Sequence, residues 1–321
     1  MKDMKNILIT GANGFIGKSL CHILSDQNYR VSAPVRNVVK PLETINYIKM
    51  DLENSIPDSL CCDVDCVVHL AGRAHITDDK VKNPLESFRR VNCDISLRLA
   101  EQALKAGVKR FVFISSIGVN GAQTTTQAFN ELSRPTPHAD YAVSKYEAEQ
   151  SLTALLKNTP MELVIIRPPL VYGANAPGNF KSLLKLVAAG IPLPLAAINN
   201  QRSFVSLENL VDFISLSIVH PAAANEIFLI SDGVDISTGE MVNYMAEGMA
   251  KKIWLLPVPV FLMRWCANLL GRSGTYIQLC ASLVVDSGKA RTLLGWKPVM
   301  GTGEALVKAG RDFKFAQKTH I

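Results

Sequence analysis

The feature that most constrains this chain is a rhythm of short apolar runs separated by longer stretches with helical spacing. The runs fall at 6–10, 29–34, 47–50, 66–70, 110–115 and 163–167. They are almost continuously apolar rather than alternating, which predicts strands buried on both faces. That arrangement needs crossover helices above and below parallel strands, so the fold class is α/β with a doubly wound parallel sheet. From position 169 the rhythm breaks. Pro168-Pro169, Tyr172-Gly173, Pro177-Gly178-Asn179 and Ile191-Pro192-Leu193-Pro194 punctuate shorter segments without clear alternation. A smaller mixed C-terminal lobe is expected from 169–203 and 233–321. Residues 1–168 form the main unit, and 204–232, with strand-like runs at 204–206 and 226–231, are expected to return to it.

Composition excludes several classes. With 321 residues, 48% of them hydrophobic and 19% charged, the chain is globular and carries a net charge of +6. Its Lys and Arg are scattered, which predicts no nucleic-acid partner. Seven cysteines and a start, MKDMK, that runs directly into Ile7-Leu8-Ile9 predict a reduced, cytoplasmic protein. Cys61, Cys62, Cys66 and His69 match no usual zinc spacing, and no metal is expected. The stretch 253–270 is the most apolar, yet Pro257, Pro259 and Arg264 interrupt it. A core helix is expected there, with no integral membrane segment; contact with a bilayer surface is the lesser alternative.

Gly11-Ala12-Asn13-Gly14-Phe15-Ile16-Gly17 joins the first strand to a helix running to about residue 25. In that context the turn is a phosphate cradle: Gly11 for the tight turn, Gly14 for close backbone approach, Gly17 for helix–strand packing, with the helix N-terminus adding positive charge. Gly17-Lys18-Ser19 mimics the end of a nucleoside-triphosphate loop, but five residues separate Gly11 from Gly17 where that loop has four. The second strand lacks the acid that usually bonds the ribose of NAD and supplies Arg36 instead. An arginine there suits a 2′-phosphate, so the cofactor is NAD or NADP with a lean to NADP.

Tyr141 and Lys145 lie one turn apart on a helical run to about residue 156. A nearby ammonium favours phenolate, which would lower the tyrosine pKa and make it a usable acid or base. Ser115-Ser116 end the fifth strand, where α/β sheets place ligand-binding groups. Ser116 is the candidate partner for a substrate carbonyl or hydroxyl, and either serine can instead serve as a cap.

In order and spacing, these motifs resemble the short-chain dehydrogenase/reductase superfamily, and specifically its extended branch, the NAD-dependent epimerase/dehydratase family. The resemblance spans nearly the whole chain and implies a Rossmann sheet at 1–168 that binds the dinucleotide, with a substrate-binding C-terminal lobe. It implies that Ser116, Tyr141, Lys145 and Asn92 are catalytic. It implies cofactor contacts from Gly11, Gly14, Phe15, Ile16, Gly17, Arg36, Asp51, Leu52, Leu70, Ala71, Gly72, Tyr141 and Lys145, and substrate contacts from Ser116, Asn179 and Arg202. An arginine fork at 202 suits diphosphate oxygens. Residues 286–298 resemble the family's closing motif. Two departures bear on chemistry. Ile117-Gly118 stand where dehydratases carry Asp-Glu, so dehydration is not expected. The Arg-x-Gly-Asp segment of many epimerases is missing, with Arg272 the candidate substitute.

The resemblance implies hydride chemistry at C4 of a nucleotide-diphosphate hexose, with UDP as the expected nucleotide. The missing acid and Arg36 lean toward 4-keto-sugar reduction; the alternative is a UDP-sugar 4-epimerase that retains NAD. A non-catalytic dinucleotide-binding scaffold or redox sensor is the alternative of another class, opposed by the intact Ser116, Tyr141 and Lys145. A homodimer built on the helices around Asn92 and Tyr141, and a role in surface polysaccharide synthesis, complete the expectation.

Overall fold

A computed structural model describes residues 5–38, 41–73, 83–269, 271 and 273–318. In chain order the first half comprises β1 (Asn6–Thr10), α1 (Phe15–Asp26), β2 (Arg30–Val35), β3 (Ile45–Lys49), β4 (Cys66–His69), α2 (Pro84–Arg89), a π-helical turn (Arg90–Asp94), α3 (Ile95–Lys105), β5 (Arg110–Ile114) and α4 (Asp140–Leu156). The second half adds β6 (Glu162–Arg167), β7 (Leu170–Tyr172), α5 (Asn179–Ala189), β8 (Phe204–Ser206), α6 (Leu207–Val219), β9 (Glu226–Leu229), α7 (Thr238–Gly248), α8 (Val260–Leu269), α9 (Ser273–Cys280), α10 (Gly288–Leu294) and α11 (Thr302–Lys318).

Among the described residues seven strands form one parallel sheet in the order β3-β2-β1-β4-β5-β6-β9. The unbroken apolar runs follow from this burial. Ile7, Ile9, Val68 and Val112 face a cluster with Leu20, Leu24, Leu210 and Phe213 from α1 and α6. Leu8, Val67, Phe111 and Phe113 face Leu99, Ala103, Leu152 and Leu156 from α3 and α4. The winding reverses between β1 and β4, which run side by side with Thr10 opposite His69. Their carboxyl ends therefore frame the crevice where such sheets take ligands.

Two expectations need correction. Residues 204–206 do not join the main sheet: β8 pairs with β7 as a separate two-stranded ribbon. The chain then returns through α6, packed on the main core, and β9, paired with β6. The expected core helix at 253–270 is also not buried. It is α8, and none of its ten residues is buried. Val260 and Met263 rest against a cluster built on Tyr172, Phe180, Leu184, Val242, Met245 and Leu306. Nothing described covers the helix's other side, and among the described residues no helix is long and apolar enough to cross a membrane.

α4 is held to β6 by a buried ion pair. Arg167 donates from Nε to Glu149 Oε1 at 2.9 Å and from Nη2 to Oε2 at 2.5 Å, and from Nη1 to Asn120 Oδ1 at 3.1 Å. Both side chains are 4% exposed, so removing either strands a desolvated charge. Arg167→Met should lower stability by about 3 kcal/mol or more, read as a drop in the urea unfolding midpoint.

Candidate active site

The glycine turn is closed by a bond from Gly14 N–H to the Gly11 carbonyl at 2.8 Å. Gly11 has φ +72°, and a Cβ there would lie 2.8 Å from the Ala71 nitrogen. A Cβ on Gly17 would lie 2.2 Å from the Gly11 carbonyl oxygen. Both positions therefore need glycine for α1 to enter directly over β1 and beside the end of β4. α1 has Gly14 as its N-cap, with no side-chain cap and no acid in its first turn. Its leading N–H groups are left for an anionic ligand. Asn13 Nδ2 donates to the Asn37 carbonyl at 2.6 Å, which ties the segment carrying the exposed Arg36 to the turn.

Behind the crevice a directed chain of hydrogen bonds locks the strand ends. Ala71 N–H donates to Thr10 Oγ1 at 3.1 Å, and the Ser96 hydroxyl donates to the Asn92 carbonyl at 2.8 Å. With those hydrogens committed, Thr10 donates to His69 Nδ1 at 2.7 Å and His69 Nε2–H donates to Ser96 Oγ at 2.8 Å. His69 is thus a neutral Nε2–H imidazole, and burial, helped by the Lys145 charge, pushes its pKa down to about 3. Asn92 sits in the π-helical turn, whose extra residue turns its amide inward. It accepts from Arg73 N–H at 2.8 Å and donates from Nδ2 to the Arg73 carbonyl and to Ser144 Oγ, both at 3.0 Å.

Ser115, Ser116, Tyr141 and Lys145 meet around a cavity of about 220 Å³. Ile16, Leu70, Gly72, Ile114 and Pro168-Pro169-x-Val171 complete its walls. Lys145 donates to the Ile114 carbonyl at 2.8 Å, with its ammonium 4.4 Å from the Phe113 ring centroid. Burial lowers its pKa to about 8, against the opposing pull of Glu149. The Tyr141 pKa does not fall as expected; burial raises it to about 12. Ser116 Oγ accepts from Gly118 N–H at 3.1 Å, which leaves its own hydrogen available for donation. Ser115 is 3% exposed, and its Oγ is, among the described residues, a buried polar atom without a hydrogen-bond partner.

A larger cavity of about 410 Å³ lies in the C-terminal part, walled by Gln123, Arg264, Asn268, Tyr276, Ile277, Cys280 and Ala281. Asn179 donates to Gln278 Oε1 on α9, and Arg202 donates from Nη1 to the Ala281 carbonyl at 2.7 Å. Both thus brace the segment that walls this cavity, and neither lines the smaller one.

Residues 7–231 match the NAD dependent epimerase/dehydratase family. A Vibrio cholerae protein named UDP-glucose 4-epimerase is 43% identical over 316 residues, covering 97% of this chain and 96% of the relative. The chain belongs to the NAD dependent epimerase/dehydratase family. An Escherichia coli O157:H7 member, N-acetyl-alpha-D-glucosaminyl-diphospho-ditrans,octacis-undecaprenol 4-epimerase, is 29% identical, covering 83% of this chain and 80% of its own. The fold is shared with UDP-glucuronic acid 4-epimerase from Bacillus cereus, solved in complex with NAD, at TM-score 0.79 and 21% identity, covering 97% and 99% of the two chains.

The chain fits the dinucleotide its family name implies. The Gly11–Gly17 approach, the uncapped start of α1 and the unpartnered Ser115 Oγ at the cavity are features that a bound dinucleotide would satisfy. Ile16, Leu70, Gly72, Ser116, Tyr141 and Lys145 share the smaller cavity. Phe15 points elsewhere, its ring packing at Gly173. Ala71 touches the locked strand ends through its N–H. Asp51 sits beyond β3, its Oδ1 accepting from Glu53 N–H at 3.0 Å, and Leu52 is buried in the core beside α3. Arg272 lies outside the described residues. Nothing in the sequence marks Ser115 as the unpartnered hydroxyl, or Gln123, Arg264 and Tyr276 as walls of the larger cavity, since they carry no recognisable spacing.

The His69 lock makes a pH prediction. The unfolded imidazole takes up a proton below the usual 6.5, the folded one only near 3, so stability falls as pH drops through that window. The slope reaches about 1.4 kcal/mol per pH unit. His69→Gln should flatten the fall in urea unfolding free energy measured on the acid side of neutrality.

Proposed function

We propose that this chain interconverts the C4 epimers of a UDP-hexose and keeps its NAD between turnovers. The observation that carries this reading is the convergence of Ser116, Tyr141 and Lys145 on one cavity below the glycine turn. The name of the Vibrio cholerae relative supports the substrate and weighs toward the epimerase over the 4-keto reduction that the sequence favours. Gly11, Gly14, Ile16 and Gly17 would hold the pyrophosphate side, Arg36, Asp51 and Leu52 the adenosine, and Leu70, Ala71, Gly72 and Lys145 the nicotinamide ribose. When bound, the cofactor supplies reversible hydride acceptance at a sugar carbon.

Tyr141 exchanges the proton of the C4 oxygen. With its pKa near 12 it is a protonated phenol at neutral pH, and it needs a cation to release that proton. Lys145, with a pKa near 8, is still largely charged at neutral pH and supplies it. The Ser116 hydroxyl, already fixed by Gly118 N–H, donates to the same oxygen and orients it. Asn92 holds Ser144, which in turn donates to the Tyr141 carbonyl at 2.8 Å, and so positions the helix start. Asn179 and Arg202 lie at the far end, where the sugar's diphosphate is recognised. The expected homodimer belongs to this reading, and light scattering at micromolar concentration should return twice the chain mass.

The reductase remains the second reading because Arg36 stands exposed beside the glycine turn, suited to a 2′-phosphate. Denaturing the purified protein and identifying the released nucleotide separates the two. Near-stoichiometric NAD is expected, whereas an empty protein that binds NADPH more tightly than NADH would establish the reductase. Tyr141→Phe should cut turnover by about 10²- to 10⁴-fold with nucleotide content unchanged; undiminished turnover would remove Tyr141 from the chemistry.

A further inference from the structure

α8 is apolar on two opposite sides. Val260 and Met263 rest on the C-terminal core, while Phe261, Trp265 and Leu269, spaced four apart, form a naked outer stripe. Their exposures are 76%, 61% and 71%, and Leu262 beside them is also exposed. The segment just before the helix also turns apolar groups outward, with Trp254 72% exposed and Leu256 exposed as well. That segment is not slack: Leu193 N–H donates to the Trp254 carbonyl at 2.9 Å and Leu256 N–H to the Leu193 carbonyl at 2.8 Å. Leu255, between them, turns the other way into the core. Two of the chain's three tryptophans are thus held outward. A stripe of large exposed apolar side chains of this kind marks a docking surface.

Charge selects the occupant. Residues 248–285 contain Lys251, Lys252, Arg264 and Arg272 and no Asp or Glu. Lys251, Lys252 and Arg264 are exposed. A second copy docked through the same face would set these cations against themselves, because a two-fold interface pairs a patch with its own image. An anionic bilayer neutralises them, and Trp and Phe between Lys and Arg is the composition that settles at the headgroup level. We infer that the outer face of α8, with Trp254 and Leu256, docks this protein on an anionic membrane surface.

The position gives the docking a consequence for the site. α8 carries Arg264 and Asn268 and α9 carries Tyr276, Ile277 and Cys280, all of them walls of the larger cavity. The helix that meets the lipid is also a wall of the cavity next to Asn179 and Arg202, so a bound sugar diphosphate would be taken and released at the membrane face. The docking stands on the surface alone; its consequence for the sugar diphosphate rests on the function proposed above.

The test is flotation of the full-length protein with extruded vesicles of phosphatidylcholine alone or with about one third phosphatidylglycerol. Binding is expected only with the anionic lipid, weakened by salt, and accompanied by a blue shift of tryptophan emission as Trp254 and Trp265 leave water. The double variant Phe261→Ser, Trp265→Ser should lose binding by about tenfold or more, with nucleotide content and turnover unchanged. Brominated lipid should quench wild-type emission, an arm that needs no variant. Failure of the wild-type protein to float, equal binding to neutral vesicles, or undiminished binding by the variant would overturn the inference. So would a dimer in light scattering that the double variant dissolves, since the patch would then be a subunit interface.

Discussion

The orientation of α4 depends on the contact between Glu149 and Arg167, and most of the site depends on α4. Its buried face comprises Ala142, Ser144, Lys145, Ala148, Glu149, Leu152 and Leu156, with polar groups filling the half nearest the cavity. Apolar burial cannot set the rotation of such a helix; it secures only the C-terminal end around Leu152 and Leu156. The roll at the other end is fixed by polar contacts: Ser144 to Asn92, Lys145 to the Ile114 carbonyl, and Glu149 to Arg167. The last is a pair of parallel charge-assisted hydrogen bonds in a dry setting, specific in angle as well as distance. Arg167 ends β6 and leads into Pro168 and Pro169, which form the opposite wall of the cavity. One ion pair therefore sets the position of both walls.

The same logic governs the crevice between β1 and β4. Parallel neighbours there diverge to opposite sides of the sheet, and their ends would splay without a link. Thr10, His69 and Ser96 supply it, reaching from β1 through β4 to α3 by bonds whose directions all agree. Holding His69 neutral is what permits this, since a charged imidazole would have no acceptor at Nδ1 and would face the Lys145 ammonium. The glycine turn, the Leu70–Gly72 segment and Asn92 are all hung from this link.

Much of this was legible in the sequence because strand burial and turn geometry are local. Continuous apolar runs identify the sheet, and the spacing of Gly11, Gly14 and Gly17 identifies the tight turn, since a Cβ on Gly11 or Gly17 has no room there. The pairing of Phe204–Ser206 is not legible: a three-residue run predicts a strand but not its partner, which is Leu170–Tyr172. Spacing reveals a cation one turn from Tyr141 but not the degree of burial, and burial raises its pKa. Ser115 and Ser116 are alike in sequence; only the position of Gly118 N–H distinguishes the occupied hydroxyl from the unpartnered one. Arg264 and Tyr276 carry no signal in the sequence because the larger cavity they wall is assembled from separate short helices.

α8 shows where composition misleads most. An apolar stretch of that length predicts a buried helix only when a second layer is available to cover it, and of this stretch the C-terminal core takes up Ile253, Leu255, Val260 and Met263. The chain places its apolar excess outward and removes acids from the surrounding 38 residues, counted from 248 to 285, rather than breaking the stripe with polar side chains. A surface under selection only for solubility would do the reverse. The two cavities are thus built on different materials. The smaller rests on rigid strand ends at the switch point of a fully covered sheet, the larger on thin helices whose outer side no described residue covers.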